Sequence, residues 1–169
     1  MTNKDKTHIL SLSGLLLFAL IMFIIDVQQP AVIQMPGKLR EEILSEAWSY
    51  LGAPLEAEGR STGGIDSPGL YAITVENAAA RTRYLPAVEP ESVVQIVEDG
   101  SVETEEAAPG DLIVLGTDAP SDIGIIHKFR DDSVSFIGIS KASGTVDYQT
   151  LSLDNPTIMS FRRIVLRQR

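Results

Sequence analysis

Apolar residues follow three rhythms along the chain. From Leu15 to Ile25 they run almost unbroken, and between Lys6 and Asp26 lie nineteen uncharged or weakly polar residues. At about 1.5 Å of helix rise per residue, such a run nearly crosses the ~30 Å hydrocarbon layer of a bilayer. The second rhythm is helical. Leu39, Ile43, Leu44, Ala47, Trp48 and Leu51 recur at three- and four-residue intervals, with Glu41 and Glu42 in the first turn and Gly52 and Pro54 past the end. This spacing predicts an amphipathic helix from about Leu39 to Leu51, with Trp48 in the core. A further helix is predicted to begin at Ser67: Asp66 and Ser67 are N-cap residue types, Pro68 suits the first helical position, and Leu70, Ile73 and Ala78 follow at helical spacing to about Ala80.

The third rhythm begins after Pro109-Gly110. Short β-rich runs cover 111–117, 123–129, 133–139, 145–151 and 158–166, separated by turn residues such as Asp131-Asp132 and Ser143-Gly144. They predict an antiparallel meander. Between the helices and the strands, 81–105 is ambiguous, with Ser92 to Val97 readable as a short helix or an apolar strand and the helix preferred. Helices first and strands afterwards make an α+β domain.

Length and charge divide the chain further. The 169 residues suit one domain plus an appendage: an N-terminal transmembrane anchor over 1–28 with its span at 9–25, a linker over 29–38, and a domain over 39–169. The apolar run is long for a signal peptide, and Asp26-Val27-Gln28-Gln29-Pro30 carries no small-x-small cleavage site, so a retained anchor is preferred over a cleaved signal. Lys4 and Lys6 before the span put the N-terminus of this single-pass inner (cytoplasmic) membrane protein in the cytoplasm and the domain on the extracytoplasmic side, in the periplasm or outside a single membrane. There is no Cys, which excludes a lipoprotein signal and argues against a structural zinc site; His8 and His127 form no metal-binding pair, and no cofactor is expected.

The formal net charge is −9, and beyond residue 30 there are 12 basic against 21 acidic residues. Nucleic-acid binding is therefore excluded. Basic residues are absent between Arg83 and His127, where Glu89, Glu91, Glu98, Asp99, Glu103, Glu105 and Glu106 form either solvated surface or a partner-facing acidic patch, while Arg162, Arg163, Arg167 and Arg169 crowd the C-terminus.

The stretch Gly64-Ile65-Asp66-Ser67-Pro68-Gly69-Leu70 resembles the GFDCSGL motif of the NlpC-type papain-like cell-wall peptidases. Ala47-Trp48-Ser49-Tyr50-Leu51-Gly52-Ala53-Pro54 is similar to the family's preceding helix and its YLGxPY end, Pro109-Gly110-Asp111-Leu112-Ile113-Val114 to PGDLVFF, and Ser121-Asp122-Ile123-Gly124-Ile125-Ile126 to SHVGIY. The resemblance covers about residues 39–166 and implies an NlpC-type domain of helices packed on an antiparallel meander. It implies a Cys nucleophile, a His base, a third polar residue and a Tyr at positions that here hold Ser67, Asp122, Gly138 and Leu55.

A cysteine protease depends on an imidazole and a helix N-terminus that together hold a thiolate; a Ser hydroxyl facing a carboxylate has neither the acidity nor the base. The expectation is thus a degenerate member with no catalytic residues. Ser67 is readable as a helix cap, Asp122 as a carboxylate made favourable by the helix dipole, and His127, five residues beyond Asp122 on a strand, as pointing away from the Ser67 site. Three functions follow as expectations: a membrane-anchored, catalytically inactive binding or scaffold subunit of a membrane or envelope complex, which is preferred; a weak serine hydrolase using Ser67 and Asp122; or a peptidoglycan-binding module using the ancestral groove. The partners implied are membrane lipid through 9–25, protein partners in the membrane or envelope, and peptidoglycan.

Overall fold

A computed structural model of the chain describes residues 35–168. The expected span over 9–25, the anchor over 1–28 and most of the linker lie outside the described residues. Among the described residues no helix is long and apolar enough to cross a membrane.

Helix α1 (Gly37–Ser49) follows Pro36 and buries Leu39, Ile43 and Ala47, which fall on one line at four-residue intervals. It opens two residues earlier than the periodicity predicts, and Met35 is already buried, so the folded domain takes in the end of the expected linker. Trp48 corrects another expectation: it is 40% exposed. One residue past Ala47 is a rotation of about 100° around the helix, which carries Trp48 off the Leu39-Ile43-Ala47 stripe.

A small ribbon of β1 (Arg60–Ser61) and β2 (Gly64–Ile65) leads into helix α2 (Ser67–Ala79), whose Leu70, Tyr71, Val75 and Ala78 are buried. After β3 (Tyr84–Pro86) comes the short helix α3 (Val93–Glu98), capped by Ser92, which accepts from Gln95 N. The stretch from Ser92 to Val97 is thus helical, as preferred, while the rest of 81–105 supplies two short strands. The remaining strands are β4 (Ser101–Glu103), β5 (Leu112–Gly116), β6 (Pro120–Arg130), β7 (Ser133–Ser140), β8 (Thr145–Ser152), β9 (Ile158–Ile164) and β10 (Leu166–Gln168).

Six strands form one antiparallel sheet in the order β4-β9-β5-β6-β7-β8. The meander holds from β5 to β8 and then fails. β9 returns across the sheet to pair with β5, where Ile158 and Phe161 pack against Ile113, Ile126, Val134 and Phe136, and β8 is left as an edge. The last apolar run is also divided: at Val165, whose N–H donates to Gly100 O, the chain leaves β9, and β10 pairs with β3.

Strand alternation produces two apolar layers. On one side Ile123, Ile125, Ile137 and Val146 meet Ile43, Leu70, Tyr71 and Ile96 of the three helices; on the other lies the cluster around Ile113 and Phe136. Asp111, with no exposed surface, ties the layers together between Arg40 of α1 (Nε to Oδ1, 3.7 Å) and Arg163 of β9 (Nη2 to Oδ2, 3.3 Å). Removing either guanidinium group would leave the buried carboxylate with an uncompensated charge.

Candidate functional site

The site is built where the N-terminus of α2 meets the start of β6. Asp66 caps α2: its Oδ1 accepts from Gly69 N at 2.7 Å and its Oδ2 from Glu58 N at 2.8 Å. The expectation that Ser67 itself caps the helix is corrected here. Asp66 occupies the N-cap with extended backbone, so Ser67 becomes the first helical residue and its hydroxyl is released from the helix end. Gly69 is needed because a Cβ there would collide with the carbonyl oxygen of Gly59, which the tight preceding ribbon brings against the helix.

The freed Ser67 Oγ donates to Asp122 Oδ1, a buried side chain-to-side chain contact. Asp122 is the third residue of β6, opposite Leu115 of β5, and its Oδ1 also accepts from Ile123 N at 2.9 Å. Both Ser67 and Asp122 are 8% exposed. Burial pushes the Asp122 carboxyl above its ordinary value, against the opposing pull of the Ser67 hydroxyl, the Ile123 N–H and the charge of Lys141.

Two cavities flank the pair. One of about 520 Å³ is lined by Ser67's neighbours Asp66 and Pro68 together with Glu58, Arg60 and Glu91. Another of about 410 Å³ is lined by Asp122, Leu115, Ser121, Ile139, Lys141 and Gln149. Ser67 lines neither cavity. Its hydroxyl faces the Asp122 carboxylate rather than either cavity.

The other residues singled out in the sequence lie elsewhere. Gly138 pairs with Gly124 and with Asp147, and a Cβ there would come within 3.0 Å of Ile123 O, so the position has no room for a side chain without movement of β6. The β7 residue that lines the Asp122 cavity is Ile139, one position further on. Leu55 is 45% exposed and held by its backbone, donating to Gly144 O. His127 is half-buried: its Nδ1 is 3.0 Å from the Tyr148 hydroxyl and its ring lies edge-on to Trp48 at 5.3 Å, so its partners are not Ser67 or Asp122. A bulge between Ile126 and Lys128 interrupts the alternation in front of it, so counting from Asp122 does not set its face. Burial and then Lys128 lower the His127 pKa.

Lys141 and Gln149 were not legible as site residues. Lys141 follows the end of β7 and faces Asp122, while Gln149 Nε2 donates to the carbonyls of Gly138 and Ile139 at 3.2 and 3.1 Å. Their placement depends on β7 and β8 lying beside β6, and no local motif records that. Among the described residues no group of three or more His, Asp or Glu side chains is placed to hold a metal ion.

No family model and no curated protein sequence matches the chain. Solved structures do resemble it. The NlpC/p60 domain of peptidoglycan hydrolase SagA is 18% identical, with a TM-score of 0.51 over 73% of this chain and 97% of that domain. NlpC1 from Trichomonas vaginalis is 19% identical, with a TM-score of 0.56 over 83% of this chain and 49% of that one. An NlpC/P60 family protein from Bacillus cereus, also 19% identical, gives a TM-score of 0.53 over 78% of this chain and 41% of its own. The chain therefore spans less than half of the last two proteins. At these identities what is shared is the fold, and the domain has the NlpC-type papain-like fold.

Proposed function

We propose that this domain carries the NlpC-type fold without its peptidase chemistry and serves as a binding or scaffold subunit of a membrane or cell-envelope complex. The observation that carries the reading is the buried Ser67–Asp122 hydrogen bond at the positions where the sequence resemblance implies a Cys and a His. A thiolate–imidazolium pair stabilises itself through opposite charges; here a neutral hydroxyl serves a carboxylate that already accepts a backbone N–H. The carboxylate's negative charge also opposes charge building up on a substrate carbonyl. Residues 9–25 supply the membrane anchor in this reading, with the N-terminus in the cytoplasm and the domain on the other side.

A weak serine hydrolase is the second reading, favoured by the same hydrogen bond, since it gives Ser67 a proton acceptor whose pKa burial raises. Peptidoglycan is the third ligand class to consider, because one structural neighbour is the domain of a peptidoglycan hydrolase and two cavities remain on either side of the pair. Purification of the full chain from its native membrane in mild detergent tests the preferred reading. A stoichiometric protein partner is expected. A chain that migrates alone and turns over an acyl or peptide substrate, with the turnover abolished by Ser67→Ala, contradicts it; retention on intact sacculi without turnover favours the peptidoglycan-binding reading.

A further inference from the structure

We propose that the cavity between Asp122 and Lys141 is a binding site for a small zwitterion, an amino acid or dipeptide whose ammonium group meets Asp122 and whose carboxylate meets Lys141. The cavity exists because the sheet opens there. β6 and β7 pair as far as Gly124↔Gly138, two residues short of Asp122, and β5 changes register against β6 between Leu115 and Gly116. Where β6 leaves β7, Gln149 Nε2 takes the Gly138 and Ile139 carbonyls, which spares its Oε1 as an acceptor. The space of about 410 Å³ falls within the ~300–1,000 Å³ usual for small-molecule sites.

Two observations point to a ligand. Asp122 Oδ1 is engaged by the Ser67 hydroxyl and the Ile123 N–H, whereas Oδ2 has no hydrogen-bond partner among the described residues. The residue is only 8% exposed, and it lines this cavity but not the one beside Pro68, so Oδ2 is the oxygen presented here. A nearly buried carboxylate oxygen without a donor lacks the hydrogen bond that would offset its desolvation. The second observation is the charge. Asp122 and Lys141 are the only charged residues lining the cavity, and no ion pair joins them. Burial raises the Asp122 pKa and the Lys141 charge pulls against it, so the two lie within Coulombic reach without touching.

Opposite charges held apart in one cavity select the ligand. A simple anion gains at Lys141 and is repelled at Asp122, and a simple cation meets the reverse; a zwitterion satisfies both. Its ammonium supplies the donor that Oδ2 lacks. The two charges can sit on one residue, or on two whose Cα atoms are about 3.8 Å apart. Leu115 and Ile139 give such a ligand an apolar wall, and Ser121 and Thr157 add hydroxyls. In this role Asp122 binds and transfers no proton, so the site requires neither turnover nor the partner complex proposed above.

Calorimetric titration of the full-length chain in mild detergent at pH 7 tests the site, with alanine, alanyl-alanine, and the N-acetylated and C-amidated form of each as probes. At least one unblocked probe should bind, and blocking either end should weaken it about tenfold or more. Each variant should erase one preference. Lys141→Gln should bind the amide and the free acid alike, while Asp122→Asn, which keeps an oxygen for Ser67 and Ile123, should bind the acetylated and free amine alike. Tighter binding of alanine or of alanyl-alanine sets the length of the ligand, and either upholds the site. Binding without retention on intact sacculi also upholds it, while removing peptidoglycan as the ligand. Absence of binding by both unblocked probes at their solubility limit overturns the proposal, as does equal binding of blocked and unblocked forms or full discrimination retained in both variants.

Discussion

Ser67 of α2 and Asp122 of β6, 55 positions apart in sequence, share a hydrogen bond in which the hydroxyl donates to a carboxylate pushed above its ordinary pKa by burial. A folded-state pKa above the unfolded 3.8 means that the folded chain holds the proton more tightly. The stability contributed by this group is complete below 3.8 and is lost as pH rises through the folded value. Asp122→Asn keeps an oxygen for Ser67 and Ile123 and removes the buried charge. Its melting temperature should exceed that of the unmodified chain at pH 7, by an amount corresponding to about 1 kcal/mol, and the gap should close at pH 3. An equal gap at both pH values argues against a buried, charge-strained Asp122.

Removing the donor should act in the opposite direction. Ser67→Ala leaves Asp122 Oδ1 with only the Ile123 N–H and should destabilise the domain by about 1–2 kcal/mol, read from urea unfolding at pH 7. Ser67→Thr, which keeps the hydroxyl, should lose less. A neutral Ser67→Ala substitution contradicts the view that this hydroxyl is structural.

Asp66 rather than Ser67 caps α2, so the costs should separate accordingly. Asp66→Ala removes the cap at Gly69 N and the partner of Glu58 N and should cost about 2 kcal/mol in chemical denaturation, whereas Asp66→Asn should recover most of it. Full stability in Asp66→Ala removes the basis for the assignment of the cap.

Both halves of the motif were legible in the sequence for different reasons. Pro68 and the apolar spacing of Leu70 and Ile73 fix where α2 starts, because helix termini follow local rules. Choosing between two adjacent cap-type residues requires knowing that Asp122 waits for one of them, and that contact spans the sheet. Trp48 was misread because a large apolar residue at nearly helical spacing looks like core until the Leu39-Ile43-Ala47 line fixes the buried face. The return of β9 to β5 was similarly hidden: its alternation shows a strand, and only the packing of Ile158 and Phe161 over Ile113 selects its neighbour.

Trp48 is the only Trp in the chain, and its ring lies 5.3 Å from His127. Its fluorescence should therefore titrate with the imidazole, at a midpoint below the ordinary 6.5 because burial and Lys128 disfavour the imidazolium. The His127→Gln variant should give a flat profile over the same range. A midpoint above 6.5 would show that the ring is more solvated than its packing against Trp48 and Tyr148 implies.

The central claim is that the Ser67–Asp122 pair does no peptidase chemistry, and release of muropeptides from purified peptidoglycan tests it most directly. The unmodified chain should release no more than Ser67→Ala. Ser67→Cys should also be inactive, because a carboxylate beside a thiol raises the thiol pKa, and Ser67→Cys combined with Asp122→His is the first variant in which a thiolate–imidazolium pair can form. Digestion by the unmodified chain above the Ser67→Ala background contradicts the claim and makes the domain a serine hydrolase.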